Sequence, residues 1–115
     1  MPCIRCTVNQ KLNDQQRQAL KEGLMEAIQQ IPGKTPDSLM IILQDAADMC
    51  FHRDSETACA FVEVNALLRK DPSEHYPAMS KIICELLTRV AGIAGTDVYI
   101  RYLATPDWGW NGTNF

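Results

Sequence analysis

The 115-residue sequence is 46% hydrophobic, so a single compact domain spanning residues 1–115 is expected, small enough that a lone folded copy buries only about two thirds of its unfolded surface. Eleven basic residues against 14 acidic ones leave a net charge of -3 without a clustered basic stripe, which argues against nucleic acid as a partner. No stretch approaches the roughly 18 to 20 apolar residues of a membrane span, and the opening residues lack the basic start and apolar run of a signal peptide. The expectation is therefore a cytoplasmic protein without a membrane partner.

In chain order, residues Pro2 to Val8 read as a short strand closed by the polar run Asn9 to Asn13. From Asp14 onward, Leu20, Leu24, Ala27, Ile28 and Ile31 recur at helical spacing, and Asn13 with Gln16 three residues later forms a capping-box pattern. Pro32 and Gly33 end that helix. The run Leu39 to Leu43 is continuously apolar and predicts a strand covered on both faces, in a sheet interior.

The pattern then repeats. A strand from Ala58 to about Leu67 is followed by a polar turn through Pro72 and a helix carrying Met79, Ile82, Ile83, Leu86, Leu87 and Val90. Gly92 stops the helix, and Asp97 to Leu103 reads as the last strand. Two strand-helix-strand units favour an α+β fold: a four-stranded mixed sheet with both helices on one face. The other face then needs cover, which further copies of the chain would supply.

Pro2 directly after Met1, the turn Gly33-Lys34, the strand Val98 to Ile100 and the ending WGWNGTNF together resemble the macrophage migration inhibitory factor (MIF) and D-dopachrome tautomerase family over the whole chain. The resemblance implies a homotrimer with a barrel of three sheets inside and helices outside. It also implies active sites at subunit interfaces, no cofactor and no metal. The implied activity is that of an isomerase, a phenylpyruvate tautomerase-like enzyme acting on small aromatic or unsaturated keto acids. Its base is the Pro2 amine after Met1 is removed.

A neutral amine is needed to take a proton from the carbon beside a carbonyl, and burial next to a cation lowers an amine's pKa. Lys34 matches the family's turn lysine, and its charge would both disfavour the protonated proline and pair with a substrate carboxylate. The backbone amide of Leu67, or of Ala66 after a one-residue slip, matches the family's carboxylate-binding amide. Tyr99 matches a pocket tyrosine contributed by a neighbouring protomer, and Arg101 shares its side of the strand. Arg101 stands where the family often carries asparagine, so it reads either as a bidentate carboxylate clamp or as an intersubunit ion pair. Trp108, Trp110 and Phe115 match the aromatic C-terminal segment that lines the pocket rim.

The likeness has departures. A one-residue insertion falls near His52 to Asp54, Leu68 and Arg69 replace glycines, and Ser38 and Asn65 stand where some members have tyrosine and histidine. These substitutions predict a more polar or wider pocket. Two alternatives accompany the tautomerase reading: a cytokine-like protein that binds a protein receptor, exported without a signal peptide, and an enzyme that hydrates or dehalogenates unsaturated acids.

Other signals are set aside. Cys3 and Cys6 have redox-pair spacing but fall on opposite faces of a strand, and an odd count of five cysteines reads as reduced thiols rather than a disulfide framework. His52 and His75 lie in polar turns without metal-ligand company. Asn111-Gly112-Thr113 reads as a turn rather than a glycosylation site.

Overall fold

A computed structural model describes residues 1–115. Strand β1 (Pro2–Val8) leads into helix α1 (Asp14–Ala27) and edge strand β2 (Met40–Gln44); β3 (Ala60–Leu67) leads through helix α2 (Tyr76–Ala91) into β4 (Val98–Thr105). The sheet order is β2-β1-β3-β4. Within each strand-helix-strand unit the strands are parallel, and the two units meet through the antiparallel β1–β3 pair. A two-stranded hairpin, β5 (Gly109–Trp110) with β6 (Thr113–Asn114), ends the chain. The α+β architecture read from the sequence is the one observed.

Alternation along the strands builds the core. Pro2, Ile4, Cys6 and Val8 of β1 are buried, as are Ala60, Val62, Val64 and Ala66 of β3. All of these except Pro2 and Ala66 meet Leu20, Leu24 and Ala27 of α1 and Met79, Ile83, Leu86 and Leu87 of α2 in one cluster. Each fully buried aliphatic side chain contributes about 1.5–3 kcal/mol relative to exposure. Cys6 shares this layer, and burial pushes its thiol up to about 12, far from reactive thiolate character. All five cysteines are free thiols.

The helix boundaries follow from capping chemistry. Asn13 Oδ1 accepts from Gln16 N–H at 2.8 Å, and Asn13 N–H donates back to Gln16 Oε1 at 2.9 Å, the reciprocal capping box expected from the sequence. The α-helix ends at Ala27, earlier than the periodicity suggests, because residues 28–30 tighten into a 3-10 turn that still buries Ile28. Gly92 ends α2 at φ 66°, a left-handed conformation that glycine adopts without a Cβ penalty.

The helices touch closely at Gly23, where an added Cβ would lie 2.2 Å from Leu86 Cδ1. Gly23→Val is therefore expected to destabilise the fold by about 1–3 kcal/mol through overpacking. A urea titration would show it as a lower midpoint with unchanged slope, and shortening the facing side chain with Leu86→Ala should recover part of the loss. An additive double variant would refute the close contact.

One expectation needs correction. The apolar run 39–43 forms an edge strand, not an interior one, and Met40 is 62% exposed. Leu39, Ile41 and Leu43 pack toward the core while Met40 faces away, so the run is apolar on both faces although the chain covers only one. No helix is long and apolar enough to cross a membrane.

Opposite the helices lies an open sheet face. Strand register places Cys3, Asn65 and Leu103 in one row, Arg5, Glu63 and Arg101 in the next, and Thr7, Phe61 and Tyr99 in a third. Tyr99 is 64% and Leu103 44% exposed there. The opposite placement of Cys3 and Cys6 agrees with the strand reading, since Cys6 is buried under the helices and Cys3 sits in the open-face row.

Candidate functional site

The beginning of β1 lies in the sheet between β2 and β3, at the end of the sheet reached by the C-terminal ends of β3 and β4. Pro2 is buried opposite Ala66, and proline is suited to a strand's first position because no N–H is lost from the ladder. The Leu67 N–H donates to the Met1 carbonyl at 2.9 Å, whereas the Leu68 N–H donates to Thr105 of β4 at 3.0 Å. Amides alternate sides along a strand, so the Leu67 amide faces the chain start and that of Ala66 turns toward β4.

Lys34 reaches the same place from the turn after α1. Its Nζ donates to the Leu67 carbonyl at 2.6 Å, and its charge and hydrogen bond act on the Met1 amine. That amine is held below its ordinary value of 8.0, first by burial and then by Lys34. A backbone donor and an ammonium thus converge beside the Met1–Pro2 peptide.

A groove of about 500 Å³ opens next to them, lined by Pro2, Cys3, Ser38, Met40, Trp108 and Trp110, among others. The hairpin brings the tryptophans there: Asn111 (φ 54°) and Gly112 (φ 73°) form its two-residue turn, where left-handed backbone is required and Asn-Gly suits it. This agrees with reading Asn111-Gly112 as a turn. Phe115 does not line the groove; its ring lies 6.4 Å from that of Trp110, and its N–H donates to the Trp108 carbonyl at 3.0 Å.

Tyr99 and Arg101 lie elsewhere in the same chain. Tyr99 pairs with Phe61 while Pro2 pairs with Ala66, a separation of five β3 residues or roughly 17 Å along the strand. Arg101 pairs with Glu63, three residues from Ala66 and thus about 10 Å along. Arg5, not Arg101, makes the ion contact with Glu63, at 3.9 Å. One chain therefore assembles Pro2, Lys34, Leu67, Trp108 and Trp110, but not Tyr99 or Arg101.

No protein-family model matches the sequence, and no curated protein matches it either. Solved structures do. MIF2 of Leishmania major superposes with a TM-score of 0.86 at 28% identity, covering 100% of this chain and 97% of that one. The MIF homologue of Prochlorococcus marinus gives 0.84 at 26% identity, with 98% of each chain covered. This is the macrophage migration inhibitory factor fold.

The resemblance read in the sequence thus holds over the whole chain. A further structural neighbour, the protein Pt0534 inactivated by 2-oxo-3-pentynoate, has a TM-score of 0.80 at 19% identity, covering 96% of this chain and 93% of that one. At that identity the likeness is one of fold.

Several groups that line the groove or contact Tyr99 were not picked out as such from the sequence. Met40 and Leu39 line the groove from an apolar run that pattern analysis assigned to packing, and Asp37 joins them from the preceding turn. Phe51 and His52 contact Tyr99's neighbourhood from a loop nearly fifty residues upstream, at ring distances of 3.8 and 4.5 Å along the stack His52–Phe51–Tyr99. Only the fold joins positions so distant in sequence.

Proposed function

We propose that this protein is a keto-enol tautomerase whose general base is the Pro2 amine, exposed by removal of Met1. The observation carrying this reading is the convergence of Leu67 N–H and Lys34 on the residue that precedes Pro2. Met1's carbonyl occupies the Leu67 donor at 2.9 Å; its departure leaves that N–H free beside the new amine, where a substrate carboxylate oxygen can replace it.

In this mechanism Lys34 and the Leu67 amide hold the carboxylate of a 2-keto acid. Pro2 nitrogen takes a proton from the carbon next to the ketone and returns it to the enolate oxygen, so the reaction is an isomerisation with no net loss of atoms. Burial and the Lys34 charge keep the amine neutral enough to accept the proton, as they already act on the Met1 amine. Trp108 and Trp110 offer apolar walls to an aromatic substrate such as phenylpyruvate.

Tyr99 and Arg101 enter this site from a second copy. The exposed apolar side chains Met40, Tyr99 and Leu103 on the open face favour association, and a homotrimer is the assembly we propose. Arg101 makes no ion pair within its own chain, which leaves its guanidinium for a substrate carboxylate or for the partner copy. Phe115 supports the Trp110 side of the rim.

The test uses a preparation whose intact mass shows Met1 removed. Phenylpyruvate turnover is followed by enol absorbance, and 2-oxo-3-pentynoate, the inactivator of the fold neighbour, serves as a covalent probe. Addition of the Pro2 amine across the activated alkyne joins the whole reagent to the chain, with a proton moving from nitrogen to carbon. An adduct mapped to Pro2, together with turnover, is expected. Cys3 is a poor competitor because burial raises its thiol pKa. No turnover, or an adduct on Cys3 alone, would refute the proline-base reading.

A further inference from the structure

We infer that Phe51 and His52 form a latch that sets the Tyr99 ring for substrate binding, which makes them positioning residues of the site. This rests on the reading above that Tyr99 walls the tautomerase pocket. The His52 and Phe51 rings stack with centroids 3.8 Å apart and an interplanar angle of 23°, and Phe51 lies 4.5 Å from Tyr99 at 54°. Tyr99 is 64% exposed, and Phe51 is its one aromatic neighbour in the chain.

His52 fastens the far end of this stack. Its Nε2 lies 2.9 Å from the Thr96 carbonyl, an acceptor only, so that nitrogen carries the hydrogen. The Asp97 carboxylate is 3.8 Å from the same nitrogen. Thr96 and Asp97 immediately precede β4, two to three residues before Tyr99, so the contact ties the loop to the strand that presents the ring.

The loop is preset for this role. His52 (φ 54°) and Arg53 (φ 63°) hold left-handed backbone without being glycine, a conformation that persists only where neighbours enforce it. Phe51 and Asp54 exchange backbone hydrogen bonds at 2.9 and 3.0 Å across these two residues. The Asp54 carboxylate then accepts from the Glu56 and Thr57 amides at 2.7 and 3.0 Å and from the Thr57 hydroxyl. The bend thereby aims Phe51 at Tyr99 and His52 at Thr96 together.

The experiment compares the Met1-processed parent with His52→Ala, Phe51→Leu and His52→Gln, each checked for folding by circular dichroism. His52→Ala and Phe51→Leu should raise KM for phenylpyruvate about fivefold, the scale of one aromatic contact, with kcat nearly unchanged. His52→Gln keeps an N–H donor for the Thr96 carbonyl and should recover most of the KM. Unchanged KM in both disruptive variants, or a fall in kcat at constant KM, overturns the latch. A parent without turnover overturns the tautomerase reading and this role with it, a result seen before any variant is made.

Discussion

Replacing Pro2 by glycine in the Met1-processed protein is expected to lower kcat/KM for phenylpyruvate tautomerisation by about 10²-fold or more, the usual contribution of a positioned general base. Glycine keeps an amine at the same chain position but makes it primary, more mobile and without the pyrrolidine ring that is buried at the start of β1. The sheet tolerates the change because Pro2 contributes no N–H to the ladder at the first position of β1. A protein that retains Met1 should be less active still, since its Pro2 nitrogen is an amide and the Met1 carbonyl occupies the Leu67 donor. Circular dichroism and intact mass separate loss of chemistry from loss of fold. A Pro2→Gly protein within about threefold of the parent would remove Pro2 from the mechanism.

Lys34→Ala should act on binding and on proton transfer at once. The lost charge-assisted contact predicts a rise of about tenfold or more in KM. The pH profile supplies the second readout. A cation beside the amine disfavours its protonated form, so removing that cation raises the amine's pKa, and a higher pH is then needed to expose the neutral base. The acidic limb of kcat/KM therefore moves upward. It should stop short of an ordinary amine's limb, because burial, the larger cause of the lowered pKa at the chain start, remains. Lys34→Arg restores charge and should return the limb most of the way, though its fork fits a single carbonyl less well. An unmoved limb with unmoved KM would leave Lys34 as a structural tie to Leu67 alone.

The two groups proposed to bind a carboxylate illustrate how far sequence reasoning carries. Lys34 could be singled out because it matches the turn lysine of the family that the sequence resembles, and a turn's position is legible locally. The choice between Leu67 and Ala66 could not be made that way, because the two amides differ only in the strand each faces. Register shows only which way each faces: Leu67 donates to Met1 at the chain start, and Leu68 to Thr105 on the other side. The contacts of Phe51 and His52 were not legible for a similar reason, since two residues in a polar turn gain meaning only from what β4 presents to them.

Local chemistry in the sequence was enough to determine the capping box at Asn13, the stop at Gly92, the Asn-Gly turn and the types of the main strands and helices, because each depends on neighbours within a few residues. The tertiary structure alone decided that β2 lies at the edge, that β1 and β3 join the two units antiparallel, and that the chain start at Met1 meets Lys34 and Leu67 while Tyr99 stands roughly 17 Å away along the strand. Those facts depend on which strands pair and in what register, and pairing between distant segments is set by burial of the whole sheet rather than by any local run of residues.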